Sequence, residues 1–330
     1  MKAETDMKIT IANEEKSLTS FEIKEIVSNK IKDILERAGI ETNSGVVIKE
    51  VKGEDANSVF RIDCNDSTYA LKVFSDSVEG GQFYTNKVFN ESAMKNGIPT
   101  PPIIYSSAER DLVPAPWIVW EWFSGEPSCE IEEENERKNV AIKTGAQLRK
   151  MHEITMPGFG RPSKENDWSS VDAKWTVDFF VKRIKNLIEK GSKAFSENEL
   201  SEILRVTAES QELSTFAGSC LLHGDITGGN VLVSNSKEIS FIDPGEVIAG
   251  DPMSDLGYSQ TTRLSPIFRE GVWDGYTKDK SLTTDEYDRF LRWRLLRQCV
   301  IACRAALNKD KNAEEYISDA KVFLEELKNK

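Results

Sequence analysis

Histidine is scarce in this chain: there are two, His152 and His223. The five cysteines, Cys64, Cys129, Cys220, Cys299 and Cys303, are scattered, and Cys299 and Cys303 stand one helical turn apart. With so few imidazoles and no zinc-type cysteine pairs, a structural metal site is not expected, and unpaired cysteines fit a reducing compartment. No run approaches the ~20 apolar residues of a membrane span. The first residues are charged and lack an apolar core of signal-peptide length. A cytoplasmic protein without a membrane partner is therefore expected. Basic residues are also outnumbered, 43 Lys and Arg against 55 Asp and Glu, a net charge of −12. That balance argues against nucleic-acid binding driven by phosphate neutralisation. It suits a cationic ligand, or equally a merely solvated acidic surface. The Gly-x4-Gly-Lys-Ser/Thr pattern of P-loop enzymes is missing as well.

What is present is a chain of 330 residues, long enough for two lobes with cores of their own. Helical spacing of Phe21, Ile23, Ile26, Val27, Ile31 and Ile34 predicts a structural helix from Ser20 to near Gly39. Strands are expected at Val46–Val51, Val59–Ile62 and Tyr69–Phe74. The turn 52–58 carries Gly53, Asn57 and Ser58, small residues that can offer backbone N–H groups to a phosphate. Lys72 alternates with apolar neighbours on the third strand. Glu91 falls on a predicted helix from Asn86 to Asn96, from which it can pair with Lys72 across the lobe. The prolines after Gly97 stop that helix. Strands near Ile103–Tyr105 and Trp117–Trp122 follow, and the second runs into the breaker-rich Ser124-Gly125-Glu126-Pro127, the best domain boundary in the chain. Beyond it, His152 shares a helix face with Ala141, Gly145 and Leu148 and reads as a core histidine. The segment 156–170 reads as a loop, and helices are predicted around Val171–Lys190, at Glu197–Ser214 and through the tail.

The rest of the chain can be read around one stretch. Leu221-Leu222-His223-Gly224-Asp225 leads through Gly228-Gly229-Asn230 into Val231-Leu232-Val233, and a short turn later comes Ile239-Ser240-Phe241-Ile242-Asp243-Pro244-Gly245. Charged residues at the mouths of apolar runs are costly unless they meet a metal, a partner or a substrate. Asp225, Asn230 and Asp243 can converge on one metal–phosphate centre. The bland alternative is a turn held by Asx hydrogen bonds. Gly228 and Gly229 are expected to supply the dihedral freedom that turns Asp225 and Asn230 to one cleft.

In this order and spacing the motifs resemble the aminoglycoside phosphotransferase and choline kinase family, small-molecule kinases with the bilobal protein-kinase-like fold. The resemblance spans roughly residues 45–305 and rests on His223-Gly224-Asp225 with Asn230, on Ile242-Asp243-Pro244-Gly245, and on Asp251-Pro252 with Asp255-Leu256. It implies an α+β fold: a small antiparallel-sheet N-lobe over residues 1–123, preceded by a helix, and a larger, mainly helical C-lobe over 124–330. It implies that Asp225 accepts the proton of a substrate hydroxyl, that Asn230 and Asp243 hold Mg2+, and that Lys72, oriented by Glu91, grips the phosphates of ATP or GTP. Glu121, Trp122 and Phe123 would meet the adenine edge, and His223 and Asp255 would brace the loop. Pro244 stands where protein kinases carry an aromatic residue, and His-Gly-Asp replaces their His-Arg-Asp.

The family's acceptors range from aminoglycosides to choline, sugars and amino alcohols. Net acidity, Glu246, Glu270 and Asp274, and the aromatic Trp273 and Tyr276 favour a cationic, sugar-like acceptor of the aminoglycoside type. A metabolic kinase for choline, a sugar or an amino alcohol stays open, as does a nucleotide-binding module without catalysis.

Overall fold

The structure is a computed structural model that describes residues 20–43, 45–51, 57–74, 81–164, 167–214, 216 and 218–330. It opens with helix α1 (Ser20–Arg37), followed by strands β1 (Val46–Val51), β2 (Ser58–Cys64) and β3 (Ser67–Val73). Helix α2 (Gln82–Lys95) precedes β4 (Ile103–Ser107) and β5 (Trp117–Glu121). The five strands form one antiparallel sheet in the order β1-β2-β3-β5-β4. On β2, Phe60, Ile62 and Cys64 alternate with less buried residues, and the buried set packs with Ile23, Val27, Ile34 and Leu35 of α1. Leu71 and Val73 of β3 join the same core. Because a strand's side chains alternate between faces, Lys72 leaves by the opposite face, between Val59 and Ile118 of the neighbouring strands.

Strand β6 (Gly125–Pro127) follows immediately and pairs with a strand from the heart of the helical region. Helix α3 (Glu134–Met151) leads to the hairpin β7 (Phe159–Lys164) and β8 (Asp167–Ser170), so the segment expected to be a loop is largely sheet. Gly158 and Gly160 press their backbones against Trp168 and Trp175, contacts that a side chain at either position would block. Next comes α4 (Lys174–Glu189), close to its expected bounds, and then α5 (Glu197–Val206) and the short α6 (Gln211–Ser214), where one helix over Glu197–Ser214 was expected. Thr207 closes α5: its hydroxyl and its N–H both bond back to the Ile203 carbonyl. The chain then runs through β9 (Cys220–Leu221), β10 (Val231–Ser234), β11 (Ile239–Phe241) and β12 (Ala249–Gly250). Strands β11, β10 and β6 form a small sheet of their own, and it ties the exit of β5 to the hairpin that follows Asn230.

Helices α7 (Pro252–Ser259), α8 (Pro266–Thr277), α9 (Thr284–Asn308) and α10 (Ala313–Lys328) complete the larger, mainly helical region. The molecule therefore has the α+β architecture expected from the sequence, an antiparallel sheet region followed by a helical one. Among the described residues, no helix is long and apolar enough to cross a membrane.

Helices α3 and α8 approach so closely that glycine is required at the contact. A Cβ on Gly275 would lie 1.9 Å from the Ile142 carbonyl oxygen, and one on Gly145 would lie 2.1 Å from that of Val272. On an isolated helix, Gly→Ala is favourable by about 1 kcal/mol. Here overpacking wins: Gly275→Ala is expected to destabilise the protein by about 2 kcal/mol or more. Thermal unfolding checks this, and an unchanged or raised Tm would contradict the tight helix pair.

Candidate active site

The stretch from Leu221 to Gly245 is built on a close crossing of two backbones. Gly224 has φ +79°, and a Cβ there would meet the Val247 carbonyl oxygen at 2.4 Å. A Cβ on Gly245 would lie 2.7 Å from the backbone of Gly224. The Gly245 N–H donates to the His223 carbonyl at 2.8 Å, so the His-Gly-Asp and Asp-Pro-Gly segments are locked face to face. The left-handed backbone of this loop therefore falls on Gly224, and neither Gly228 nor Gly229 has positive φ. Gly228 is needed for a different reason: it begins a single 3-10 turn, Gly228–Asn230, that lies against Ser128 and Cys129.

Asp255, buried at the start of α7, clamps this crossing. Its carboxylate accepts the His223 N–H at 2.6 Å and the Gly224 N–H at 2.9 Å, with His152 Nε2 at 3.4 Å. His152 also meets the Tyr276 hydroxyl at 2.8 Å, a satisfied core histidine as expected. Burial alone would raise the Asp255 carboxyl. The hydrogen bond to His152, the two neighbouring imidazoles and the Gly224 N–H outweigh it and hold the group below its ordinary value. His223 is fully buried, and burial lowers its pKa despite Asp255 and Asp225 nearby. Its partners fit a neutral ring: Nε2 faces the Ile242 carbonyl at 3.1 Å as donor, and Nδ1 accepts from the Asp225 N–H at 3.3 Å.

On this base stand the polar groups. Asn230 Nδ2 donates to the Asp225 carbonyl at 2.8 Å and to its carboxylate at 3.2 Å. The Asn230 carbonyl accepts the Ile242 N–H at 3.0 Å, fixing the next residue, Asp243. Asp243 adopts φ +53°, an uncommon backbone state for a residue with a side chain. Lys72 Nζ, nearly buried, reaches the Asp243 carboxylate at 2.5 Å and so joins the sheet to the helical region. All four residues line one cleft of about 1370 Å³. Its apolar walls include Val59 and Ala70 from the sheet and Leu232 and Ile242 from below.

At the end of β5, the Glu121 N–H donates to the Pro102 carbonyl and the Trp122 N–H to the Thr68 carbonyl. The Phe123 N–H has no partner among the described residues, and Glu121, Trp122 and Phe123 all line the cleft. The Trp122 ring itself lies under the Arg61 guanidinium, 5.1 Å from its centroid.

Other expected residues are placed differently. Glu91 does not meet Lys72: it is exposed and pairs with Lys87 at 3.5 Å on its own helix. The reason is helical phase. The face of α2 that looks into the cleft carries Gln82, Asn86 and Asn90, and position 91 is turned about 100° beyond Asn90. Asn57 is hydrogen-bonded to Gln82, and Ser58 is buried with an unpartnered Oγ; neither lines the cleft. Gly53 lies outside the described residues. Of the residues expected to mark a cationic acceptor, Glu270 pairs with Lys138 on the surface, Asp274 is exposed, and Trp273 and Tyr276 pack into the core. Glu246 does line the cleft, bound by Arg183 and, at 3.9 Å, by Arg161.

The sequence reasoning missed the cleft's far wall, which is made by Arg183, Tyr258, Arg263, Arg297 and Arg304. Arg297 is buried between the rings of Phe180 and Tyr258, 4.4 and 4.2 Å from their centroids, and donates to the Gly224 carbonyl at 2.8 Å. The burial of Tyr258 and the neighbouring Asp225 carboxylate push its phenol up to about 12. The available signal was the spacing of Arg297 and Arg304, two turns apart on one face of α9 and separated by the apolar run Val300-Ile301-Ala302.

A five-stranded antiparallel sheet, the β10–β11 hairpin and a helical region around one cleft define the protein-kinase-like architecture. The sequence pattern of the phosphotransferase enzyme family matches residues 47–292, and the chain belongs to that family of kinase-type enzymes that phosphorylate hydroxyl groups. No curated protein matches the sequence. Solved structures do share the fold. One is a putative fructosamine-3-kinase from Haemophilus somnus, 15% identical, with 92% of this chain and 97% of that one covered at a TM-score of 0.64. Another is a putative aminoglycoside phosphotransferase from Ralstonia eutropha, 13% identical, with 91% and 98% covered at 0.63. A third is a thermostable mutant aminoglycoside phosphotransferase in ternary complex with AMP-PNP and hygromycin B, 14% identical, with 89% and 97% covered at 0.66.

Asp255→Asn is expected to cost about 3 kcal/mol, because it turns an amide donor toward N–H groups that need an acceptor. The sign of the pH dependence follows from the lowered carboxyl. Its stabilisation is complete above the unfolded-state value of about 3.9 and is lost as pH falls through the lower folded value. Denaturant unfolding of both proteins should therefore show a constant gap from neutral pH down to about 5 that closes below about 4. A gap unchanged into strong acid would contradict the clamp.

Proposed function

We propose that the protein moves the γ-phosphate of ATP or GTP to a hydroxyl of a small molecule, with Asp225 as catalytic base. The observation that carries this reading is the meeting of Lys72 with Asp243 at 2.5 Å, beside Asn230 and Asp225, in one cleft of a phosphotransferase-family chain. Neighbours of the same fold that hold ADP or AMP-PNP support a nucleotide donor. The base would lie between Val59 and Ala70 above and Leu232 and Ile242 below, with the unpartnered Phe123 N–H and the backbone of Glu121 and Trp122 at its edge. That arrangement would make residues 1–123 the nucleotide lobe and 124–330 the catalytic and acceptor lobe.

The donor set fits magnesium. Asn230 uses its Nδ2 on Asp225, and no hydrogen bond falls on its Oδ1 among the described residues, which leaves an amide oxygen in the cleft that Asp243 also lines. Magnesium takes hard oxygen ligands and leaves its other positions to phosphates and water. When bound, it would neutralise phosphate charge as the transferring group moves. Lys72, whose ammonium already reaches the Asp243 carboxylate, would grip the donor's phosphates at the same point. Asp225 would accept the hydrogen bond of the acceptor hydroxyl and orient its oxygen in line with the γ-phosphorus. The new O–P bond forms, the bond to the nucleoside diphosphate breaks, and the hydroxyl proton passes to Asp225. Because that proton leaves late, an ordinary carboxylate is base enough.

An aminoglycoside-type acceptor draws support from neighbours whose ligands include hygromycin B and spectinomycin. The guanidinium-rich far wall speaks against a polycation and, within the metabolic-kinase alternative, for a sugar over choline or an amino alcohol. A module without catalysis would have no use for four polar groups so aligned.

Asp225→Asn is expected to lower kcat by about 10²–10⁴-fold with the nucleotide Kd nearly unchanged. Asp243→Ala should instead weaken magnesium–nucleotide binding itself. Titration calorimetry and single-turnover transfer separate the two. Undiminished transfer by Asp225→Asn would remove it as the base.

A further inference from the structure

The acceptor half of the cleft has a charge opposite to that of the protein as a whole. The lining carries five guanidinium groups: Arg137 of α3, and Arg183, Arg263, Arg297 and Arg304 from α4, the turn after α7, and α9. Against them stand two carboxylates, Asp225 and Glu246, and Glu246 is already held by Arg183 and Arg161. The other lining carboxylates outside the metal site are Glu121 and Glu130. Glu121 ends β5, and Glu130 follows Cys129, whose N–H bonds to Gly228. Arg297 is accounted for by its aromatic sandwich and the Gly224 carbonyl. Arg263 and Arg304 have no carboxylate partner among the described residues. Burial lowers the pKa of Arg304, and the charges of Arg183 and Arg263 lower it further, against a smaller opposite pull from Tyr258 and Asp225. Like charges gathered at a cleft wall are unfavourable until a counter-ion enters. A guanidinium's fork of donors matches a carboxylate or a phosphate.

We infer that the acceptor is a small hydroxylated anion, carrying a carboxylate or a phosphate that Arg263 and Arg304 bind while its hydroxyl faces Asp225. This deepens the kinase reading and rests on it. A polycation entering the same space would find Asp225 as its one unpaired carboxylate and several guanidinium groups around it. The aromatic wall of Phe179 and Phe180 would cover the apolar side of the acceptor. Since the protein as a whole is acidic, attraction would be local to the cleft and would weaken with added salt.

The test uses the whole protein with its nucleotide site saturated by magnesium and AMP-PNP. Thermal unfolding is followed with matched probes: glucose, glucuronate and glucose 6-phosphate; glycerol, glycerate and glycerol 3-phosphate; and the cations choline and kanamycin. The expected result is a higher Tm with at least one anion and none with its neutral parent or the cations. Response to the acids alone assigns a carboxylate, and response to the esters alone a phosphate. The double variant Arg263→Glu with Arg304→Glu should lose that response while AMP-PNP still stabilises it as in the parent. Stabilisation by kanamycin or choline, equal response to neutral parents, or no response to any anion overturns the inference. So does a variant that loses AMP-PNP stabilisation and keeps the anion response, which would assign the arginines to the donor. Failure of AMP-PNP to stabilise the parent protein overturns the kinase reading itself.

Discussion

The site depends on the crossing of Gly224 over Gly245, clamped from below by Asp255. Two chain segments cannot come this close with side chains at the contact, and their N–H groups cannot be buried without an acceptor. Asp255 meets that requirement from the first turn of α7, and Arg297 meets the Gly224 carbonyl from α9. The loop is therefore held by the helical region on both its donor and its acceptor sides. Asp225 and Asp243 emerge from it at fixed positions because their neighbours, not their own side chains, absorb the constraints. The left-handed backbone of Asp243 is the residual strain, stored where the carboxylate meets Lys72.

The ion pair between Lys72 and Asp243 gives the cleft its coherence. It joins a strand residue of the sheet to the residue just after the β10–β11 hairpin. The small sheet of β6, β10 and β11 makes a second tie, from the end of β5 to the residues after Asn230. With two such ties, the end of β5, Lys72 and Asp225 lie along one groove. Phosphoryl transfer asks the protein mostly for alignment and charge neutralisation, and this arrangement supplies both.

Much of this was legible in the residues because it is local. Alternation along Tyr69–Phe74 put Lys72 opposite Leu71 and Val73, and short-range spacing carried Asp225, Asn230 and Asp243. What failed depended on phase or on distant packing. Helix α2 begins at Gln82, after Gly81, four residues earlier than expected, and its cleft face carries amides instead of Glu91. Gly224 and not the Gly228-Gly229 pair takes the unusual backbone, because the demand comes from Val247 across the crossing. The far wall was invisible since its arginines come from three elements, α4, the turn after α7, and α9, that meet only in the folded protein. Net acidity did not foretell these arginines, because a global sum says nothing about one cleft.

The most direct test of the central claim is phosphorus NMR of the wild-type enzyme with magnesium and ATP, in the presence of hydroxylated anions and cations. The account predicts that ADP and a new phosphomonoester appear in equal amounts. ADP accompanied only by inorganic phosphate, at a rate indifferent to every acceptor, would contradict it.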